Sequence, residues 1–257
     1  MYKRQAFSPF YRNHAESGKI PQEFYRWPIV AEAAKVAINA RYQMLDYIYT
    51  AFYNQNQTGT PTVQPMFFAY PEDPNTASLQ YQYMWGPGVM VAPVTEENST
   101  TTTIYMPDDI FYDWFTHETV RGNGEMVTLT DVAYTTIPLY YKGGNIVALR
   151  ANSANTTTEL RKEDFDIIIA PGLDGTATGN LYLDDGDSIE QPSTSYITFT
   201  YSKSGVFAMT GSFDYDAGVS IASVTVLGTN STSSTYSRRN MKVSTSIPLT
   251  APHSLQL

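Results

Sequence analysis

Residues 12–14 combine three side chains that are suited to binding a polar ligand. Arg12, Asn13 and His14 follow one another at the end of a short aromatic-rich run. The two ring nitrogens of His14 can bridge a hydroxyl group and a neighbouring carboxylate. Arg12 keeps its proton near neutral pH, and its guanidinium is suited to orienting carboxylates. The spacing alone leaves open that His14 is a loop histidine paired with a local carboxylate.

Two acidic runs have the composition of binding sites. Asp184–Glu190 is rich in carboxylates, but its spacing differs from an EF-hand loop, and Asp-Gly after an apolar strand favours a hairpin turn. Glu72 and Asp73 could face a cleft, although the Asp-Pro-Asn-Thr that follows is typical of a turn and a helix cap. The chain has no cysteine and three histidines far apart in sequence. We therefore expect neither a metal site nor a cofactor.

Charge and composition exclude some classes of partner and indicate a compartment. The net charge of −9, with 16 lysines and arginines, provides no basic stripe, so we expect no nucleic acid partner. No apolar run approaches the roughly 20 residues that cross a bilayer, and no signal peptide is evident. Four Asn-x-Ser/Thr sequons favour a secreted or cell-wall protein whose signal peptide lies further upstream; they are at Asn56, Asn98, Asn155 and Asn230.

A long helix dominates the first third of the chain. Apolar residues recur at helical spacing over Pro28–Asn54, with the proline in a position that suits a first helical turn. Apolar runs predict strands at Ala6–Tyr11 and Thr62–Tyr70, and Thr76–Trp85 predicts a second helix. Two strand–helix units cannot close a sheet alone, because a parallel sheet needs covered faces and paired edges. We therefore predict the last part of a larger barrel, whose remainder lies upstream.

Beyond Gly88 the sequence is typical of an all-β structure. Short runs rich in Val, Ile, Thr, Tyr and Phe alternate with Gly, Pro, Asn and Asp. The polar segment Ala151–Glu159 predicts a boundary between two β-sandwiches. The candidate strands are Val89–Ala92, Thr101–Met106, Phe111–Phe115, Met126–Leu129, Ile137–Tyr141, Ile146–Leu149, Phe165–Ala170, Asn180–Leu183, Ser195–Tyr201, Val206–Phe213 and Val219–Leu227.

A set of collinear motifs resembles the C-terminal portion of glycoside hydrolase family 31, of the α-glucosidase and fungal glucoamylase-like type. The motifs occur in the family's order over about residues 6 to 190. They are Phe10–His14, Pro21–Glu23, Ala40–Tyr42, Tyr47–Thr50, Gly59–Pro61, Pro65–Phe68, Tyr70–Asp73, Gly86-Pro87, Val91–Val94, Phe111–Trp114, Pro138–Tyr140, Gly143-Gly144 and Leu181–Gly186. The collinearity carries the resemblance, since any single motif could arise by chance.

The resemblance implies a role for His14 and an absence elsewhere. In the family, the matching histidine follows the seventh barrel strand and hydrogen-bonds the sugar in the −1 subsite, and Arg12 would help to position it. Retaining hydrolysis needs two carboxyl groups about 5 Å apart. In the family both are aspartates on earlier barrel strands, and their motifs are absent from this sequence. We therefore assign no catalytic residue here and predict that the isolated chain is inactive.

Some residues depart from the family pattern or have two interpretations. Asp46 stands where the family usually has proline, and Gln64 where it usually has arginine; either change could weaken activity. The aromatic residues Phe111, Tyr112 and Trp114 could stack on a sugar, but core packing is the favoured interpretation.

These observations predict an α/β plus all-β chain: the last two βα units of a TIM (β/α)8 barrel at 1–88, a proximal β-sandwich at 89–158 and a distal one at 159–257. The implied function is that of part of a retaining α-glucosidase acting on terminal α-linked glucose of maltose- or starch-type oligosaccharides. Its partners would be the substrate and the remainder of the barrel, in the same precursor or as a separate chain. The alternative is a non-catalytic carbohydrate-binding or structural β subunit.

Overall fold

Helices occupy the first quarter of the chain, and strands form most of the rest. The computed structural model describes residues 5–229 and 239–257. Its helices are α1 (Pro28–Gln43), α2 (Leu45–Thr58), α3 (Met66–Ala69) and α4 (Thr157–Leu160). Its strands are β1 (Val63–Pro65), β2 (Tyr83–Trp85), β3 (Val89–Val91), β4 (Thr102–Met106), β5 (Ile110–Asp113), β6 (Thr119–Arg121), β7 (Glu125–Leu129), β8 (Leu139–Lys142), β9 (Asn145–Arg150), β10 (Phe165–Ala170), β11 (Ala177–Leu183), β12 (Ser195–Tyr201), β13 (Val206–Phe213), β14 (Ser220–Thr229), β15 (Arg239–Pro248) and β16 (His253–Gln256).

The predicted long helix is present but is divided into α1 and α2 at Met44. The backbone of Met44 leaves the helical region, with φ −83° and ψ 2°. The side chain of Met44 is fully buried, and the alanine face of α1 and the apolar face of α2 meet the same core. Helix α2 ends at Thr58 and is capped by Gly59, whose φ of 78° favours glycine. Within the described residues, no helix is both long and apolar enough to cross a membrane.

Two element predictions before residue 88 are wrong, and a third is confirmed only in part. Ala6–Tyr11 forms turns and bends rather than a strand, because its backbone carbonyls bind Arg41 instead of a neighbouring strand. Only Val63–Pro65 of the run Thr62–Tyr70 is a strand. The run Thr76–Trp85 begins at the last residue of a 3₁₀ turn, Pro74–Thr76, and ends in the strand β2, with no helix between them. The positive φ of Gly86, 59°, turns the chain from β2 into β3, so the last residues of this run form a hairpin.

A six-stranded sheet combines strands from both sides of residue 88, where the sequence predicted a domain boundary. Its order is β1-β2-β3-β8-β5-β6, and every strand pair in it is antiparallel. Both faces are buried: in β3, Val89 and Val91 face the core shared with α1 and α2, whereas Met90 faces a second core under β4. Tyr47 ties α2 to this sheet, because its hydroxyl donates to the carbonyl of Trp85 and accepts from the amide of Gly88, each at 2.8 Å.

An eight-stranded sheet forms the second β region. Its order is β15-β14-β10-β9-β11-β12-β13-β16, and its inward side chains enclose one apolar core. Strand β9 is buried on both faces: Ile146 and Ala148 enter that core, whereas Val147 and Leu149 enter the core under α1 and α2. Strands β9 and β10 are antiparallel neighbours. The segment Ala151–Glu159 therefore connects two strands within one sheet, rather than marking a boundary between two sheets.

All candidate strands beyond Gly88 are present, with ends that shift by a few residues. Strands β6, β15 and β16 were not predicted, because each is short or strongly polar in sequence. The sheet-rich structure agrees with the all-β part of the predicted fold class.

Candidate functional site

His14 lies on the surface, in a loop that leads from the buried Phe7 to helix α1. Both Arg12 and His14 are exposed, and Nη2 of Arg12 lies 3.2 Å from Nε2 of His14. A guanidinium only donates, so Nε2 of His14 is the acceptor, and a neutral ring then carries its proton on Nδ1. The arrangement leaves Nδ1–H of His14 available to donate to a ligand. In the described part of the chain, no carboxylate forms a hydrogen bond with His14.

The loop of residues 12–23, called the His14 loop below, is closed by a hydrogen bond between its two ends. The side-chain amide of Asn13 donates to the carbonyl of Gln22 at 2.7 Å. This bond brings the Arg-Asn-His motif next to the Pro21–Glu23 motif, so two of the sequence motifs meet in space. Both ends of the loop then lie beside the first turns of α1.

The surface beside the His14 loop is apolar and open. An open cavity of about 450 Å³ borders Asn13 and helix α1, and most of its walls are apolar; it is lined by Asn13, Glu23, Phe24, Tyr25, Ala31, Ala34, Lys35 and Ile38. Tyr25, which lines it, is 78% exposed, and other large apolar side chains of the same segment are also exposed: Phe10, at 77%, Ile20, Trp27 and Ile29. This set of five residues is called the aromatic surface below. Apolar side chains at this density are typical of a contact surface.

The acidic runs form turns and caps. The Asp73 carboxylate accepts from the amide of Asn75 at 3.0 Å and from the hydroxyl of Tyr105 at 2.5 Å, as the cap interpretation predicts. Asp185 accepts from the amides of Asp187 and Ser188, each at 2.9 Å, and from the Ser188 hydroxyl, and these bonds hold its pKa well below the usual range. Across residues 5–229 and 239–257, no three His, Asp or Glu side chains are grouped as metal ligands.

The aromatic block after β4 belongs to the core. Phe111, Tyr112 and Trp114 are all buried, and the ring of Trp114 stacks on Tyr141 with centroids 4.6 Å apart. The prediction of core packing is therefore confirmed for these three residues.

The two departures from the family pattern are both buried. Asp46 accepts two hydrogen bonds from Arg150, with Oδ2–Nε and Oδ1–Nη2 distances of 2.7 Å each. The Arg150 guanidinium also lies over the ring of Phe165, at 4.0 Å, and Nη1 donates to the carbonyl of Glu163 at 2.6 Å. Gln64 donates to the carbonyl of Pro61 at 3.0 Å. Sequence reasoning missed Arg150, because 104 residues separate it from Asp46.

Three of the four sequons are accessible. Asn56 lies near the end of α2, Asn98 in the turn after β3 with a φ of 56°, and Asn155 in the β9–β10 connection; all three are exposed. Asn230 lies outside the described residues.

Two sequence profiles of one family match the chain. The profile described as "Glycosyl hydrolases family 31 TIM-barrel domain" matches residues 1–51, and that described as "Glycosyl hydrolase family 31 C-terminal domain" matches residues 59–147. The first match contains the His14 loop and α1, and the second contains the whole six-stranded sheet.

Similar curated proteins are fungal. A probable alpha/beta-glucosidase agdC of Neosartorya fischeri is 51% identical over 260 residues, which cover 98% of this chain and 29% of the relative. An alpha-glucosidase of Aspergillus niger is 39% identical over 229 residues, which cover 88% of this chain and 23% of the relative. The chain thus spans less than a third of the length of these relatives.

Solved structures support the same assignment. The Tris-bound glucosidase II alpha subunit is 26% identical, with a TM-score of 0.82 over 89% of this chain and 26% of that chain. The DNJ-bound form of a glucosidase II alpha subunit matches with a TM-score of 0.88 over 98% of this chain and 32% of that chain, and at 23% identity it supports the fold alone. On the two profile matches and these relatives, the chain belongs to glycoside hydrolase family 31.

Proposed function

We propose that this chain forms the C-terminal portion of a retaining α-glucosidase, which removes terminal α-linked glucose from maltose- or starch-type oligosaccharides. The observation that carries the proposal is the exposed His14, held in the motif context of the family with its Nδ1–H free to donate. The names of the relatives, an alpha/beta-glucosidase and an alpha-glucosidase, support the reaction class.

In this proposal His14 binds the sugar of the −1 subsite. Its Nδ1–H donates to a sugar hydroxyl, while Arg12 occupies Nε2 and keeps the ring in one tautomer. A donor aimed at a hydroxyl whose charge changes in the transition state raises kcat as well as affinity. The nucleophile and the acid, two carboxyl groups about 5 Å apart, would come from the remainder of the barrel.

The aromatic surface is the proposed contact with that remainder. Apolar side chains such as those of Phe10, Tyr25 and Trp27 gain about 25 cal/mol for each Å² that a partner removes from water. The partner would be the rest of the barrel, in the same precursor or as a separate chain. We further propose that the helical segment up to residue 58 completes the barrel, that the six-stranded and eight-stranded sheets belong to two β-sandwiches, and that the protein is secreted with glycans at its exposed sequons.

The test uses a hybrid enzyme. This chain replaces the matching 29% of the Neosartorya fischeri relative, where 51% identity favours a compatible interface. We expect the hybrid to release glucose from maltose and the 257-residue chain alone to release none. His14→Ala should lower kcat/KM of the hybrid by about 10²- to 10³-fold, the usual cost of removing one transition-state donor.

The matched control is His253→Ala, which removes an exposed histidine from β16, on the second β region. It should leave kcat/KM unchanged. Full activity of the His14→Ala hybrid would overturn the assigned role of His14, and maltose hydrolysis by the chain alone would show that the catalytic carboxyl groups lie within it.

The alternative, a non-catalytic carbohydrate-binding or structural β subunit, is favoured by one observation: most of the described residues belong to two β regions with their own cores. Calorimetric titration of the complete chain with maltose decides between the two. Millimolar or tighter binding that His14→Ala leaves unchanged would support this alternative.

A further inference from the structure

Arg41 binds the backbone carbonyls of the segment that leads into the His14 loop. It lies in the last turn of α1 and is half-buried. Its Nη1 donates to the carbonyls of Ala6 and Ser8, each at 2.7 Å, and its Nη2 donates to the carbonyl of Pro9 at 3.1 Å. One guanidinium therefore binds three carbonyls within a four-residue segment.

Side chains fix the same segment from both sides. The guanidinium of Arg41 lies over the ring of Tyr11, 4.8 Å from its centroid, which is within the range of a cation–π contact. Phe7 is fully buried, and its carbonyl accepts from the hydroxyl of Tyr83 at 2.9 Å. Residues 6–11 are thus held on α1 and β2, and Arg12 is the first residue beyond them.

Only arginine can make this set of contacts. Residues 6–9 lie in no helix or strand that would pair these carbonyls, and the carbonyl of the buried Ala6 would be costly to leave unpaired. The guanidinium offers five donors in a rigid plane and stacks on an aromatic ring, whereas lysine offers a point charge without a fixed direction. Arg41→Lys therefore keeps the charge and removes the geometry.

We infer that Arg41 is a positioning residue for His14: it fixes residues 6–11, and through them sets where the His14 ring stands and which tautomer the Arg12 contact selects. The inference rests on the proposed function for its consequence in catalysis, but the position of the ring is independent of that function. The Asn13–Gln22 bond is the second point at which the loop is held.

Nuclear magnetic resonance of the complete chain with ¹⁵N-labelled histidines tests the position directly. The wild-type His14 ring should show the protonated Nδ1 and unprotonated Nε2 that the Arg12 contact requires. In Arg41→Lys the ring should lose this pattern and show motional averaging, whereas His117 and His253 should keep their wild-type signals. Unchanged His14 signals in a folded Arg41→Lys chain would overturn the inference.

A second variant, which is not expected to affect folding, tests the same inference if Arg41→Lys unfolds the chain. Asn13→Ala removes the second hold on the loop and touches no core residue, so it should also release the His14 ring while the thermal transition stays at the wild-type temperature. A His14 ring that keeps its tautomer in both variants counts against the inference. If Arg41→Lys unfolds the chain, the Asn13→Ala result alone shows whether the contacts that fix the loop backbone determine the position of the His14 ring.

Kinetics of the hybrid enzyme separate this inference from the proposed function. Arg41→Lys should lower kcat of the hybrid by about 10- to 100-fold, the scale expected when a binding group moves by about 1 Å. If the His14 signals change in Arg41→Lys but His14→Ala keeps full activity, the positioning role stands and the proposed function fails. If His14→Ala is inactive but Arg41→Lys leaves both signals and kcat unchanged, the positioning role fails.

Discussion

Helix α2 and the His14 loop lie on the same part of the chain, but they meet their surroundings in opposite ways. On one face of α2, called the α2 stripe, every side chain has a hydrogen-bonded or stacked partner in the second β region. The stripe consists of Asp46, Tyr49, Thr50, Tyr53 and Asn54. The His14 loop is joined at its base by the bond between Asn13 and Gln22, and it includes or adjoins residues of the exposed aromatic surface.

The α2 stripe follows the helical spacing of three and four residues, so a single face of α2 carries all of its contacts. The amide of Tyr182 donates to the hydroxyl of Thr50 at 2.9 Å, and the ring of Tyr182 stacks on Tyr53 with centroids 3.9 Å apart. The hydroxyl of Tyr196 donates to Asn54 at 2.9 Å. The α2 stripe therefore has its partners within this chain, whereas the aromatic surface beside the His14 loop is suited to contact with a partner.

The largest effect on stability is expected in the α2 stripe, at the buried ion pair of Asp46 and Arg150. Arg150→Met leaves the buried carboxylate of Asp46 without its partner, which should lower the free energy of unfolding by about 3–5 kcal/mol. Urea denaturation of the 257-residue chain measures the change. Asp46→Leu should cost a similar amount, because it leaves the Arg150 guanidinium unpaired.

The double variant Asp46→Leu/Arg150→Met is the control for this prediction. Apolar side chains of similar volume avoid the cost of desolvating two charges, so the double variant should recover most of the loss. Losses that simply add in the double variant would mean that the two residues stabilise the interface independently.

A smaller effect is expected at the edge of the same surface. The hydroxyl of Tyr49 donates to the carboxylate of Asp184 at 2.7 Å, and partial burial together with this bond raises the pKa of Tyr49 to about 12. The unfolded chain ionises Tyr49 near pH 10, about two units lower. Stability relative to Tyr49→Phe should therefore be constant below about pH 10, fall as pH rises, and level off above pH 12.

Urea midpoints of the wild type and of Tyr49→Phe, compared at intervals from pH 8 to above 12, measure this dependence. Tyr25→Phe is the control, because Tyr25 belongs to the exposed aromatic surface. A difference between wild type and Tyr49→Phe that does not change with pH would mean that the Asp184 contact is absent in solution.

The smallest effect is expected on the open surface. Phe10 is 77% exposed, so Phe10→Ser should change the free energy of unfolding of this chain by no more than about 0.5 kcal/mol. Phe7, three residues earlier, is fully buried, and Phe7→Ala should cost about 3–5 kcal/mol. In the hybrid enzyme, by contrast, Phe10→Ser should lower the thermal transition temperature, because the partner would cover this side chain. An equal, small effect in both proteins would mean that no partner covers Phe10.

Periodicity predicted most of the architecture. Runs of β-branched and aromatic residues identified β10 and β12 to the residue; inward and outward side chains alternate along most of β12, whereas β10 is an apolar run that is buried at nearly every position. Reasoning failed at Ala6–Tyr11, where a distant guanidinium satisfies the backbone, and at Thr76–Trp85, where the hairpin turn at Gly86 outweighs local helical spacing. In each case the deciding contact is remote in sequence or depends on one backbone angle.

The candidate site was predictable only in part. The collinear motifs indicate His14 as a candidate, which stays a prediction, and no pattern in the sequence relates Arg41 to the carbonyls of residues 6–9 or Asp46 to Arg150. Such contacts follow from the way α1 and α2 pack on the sheets. The sequence alone suggested that the departure at Asp46 could weaken activity. In the structure, the same residue pairs with Arg150, which gives the departure a physical explanation.

Strand β9 limits how the parts of this protein could be exchanged among relatives. Because alternate side chains of β9 complete two different cores, a recombination point placed on either side of it separates at least one core from residues that fill it. A β region taken from another family member would have to bring side chains that match helices α1 and α2 as well as its own interior. We therefore expect substitutions at Ile146 and Ala148 to be matched by changes in the core of the eight-stranded sheet, and those at Val147 and Leu149 by changes in the core under α1 and α2.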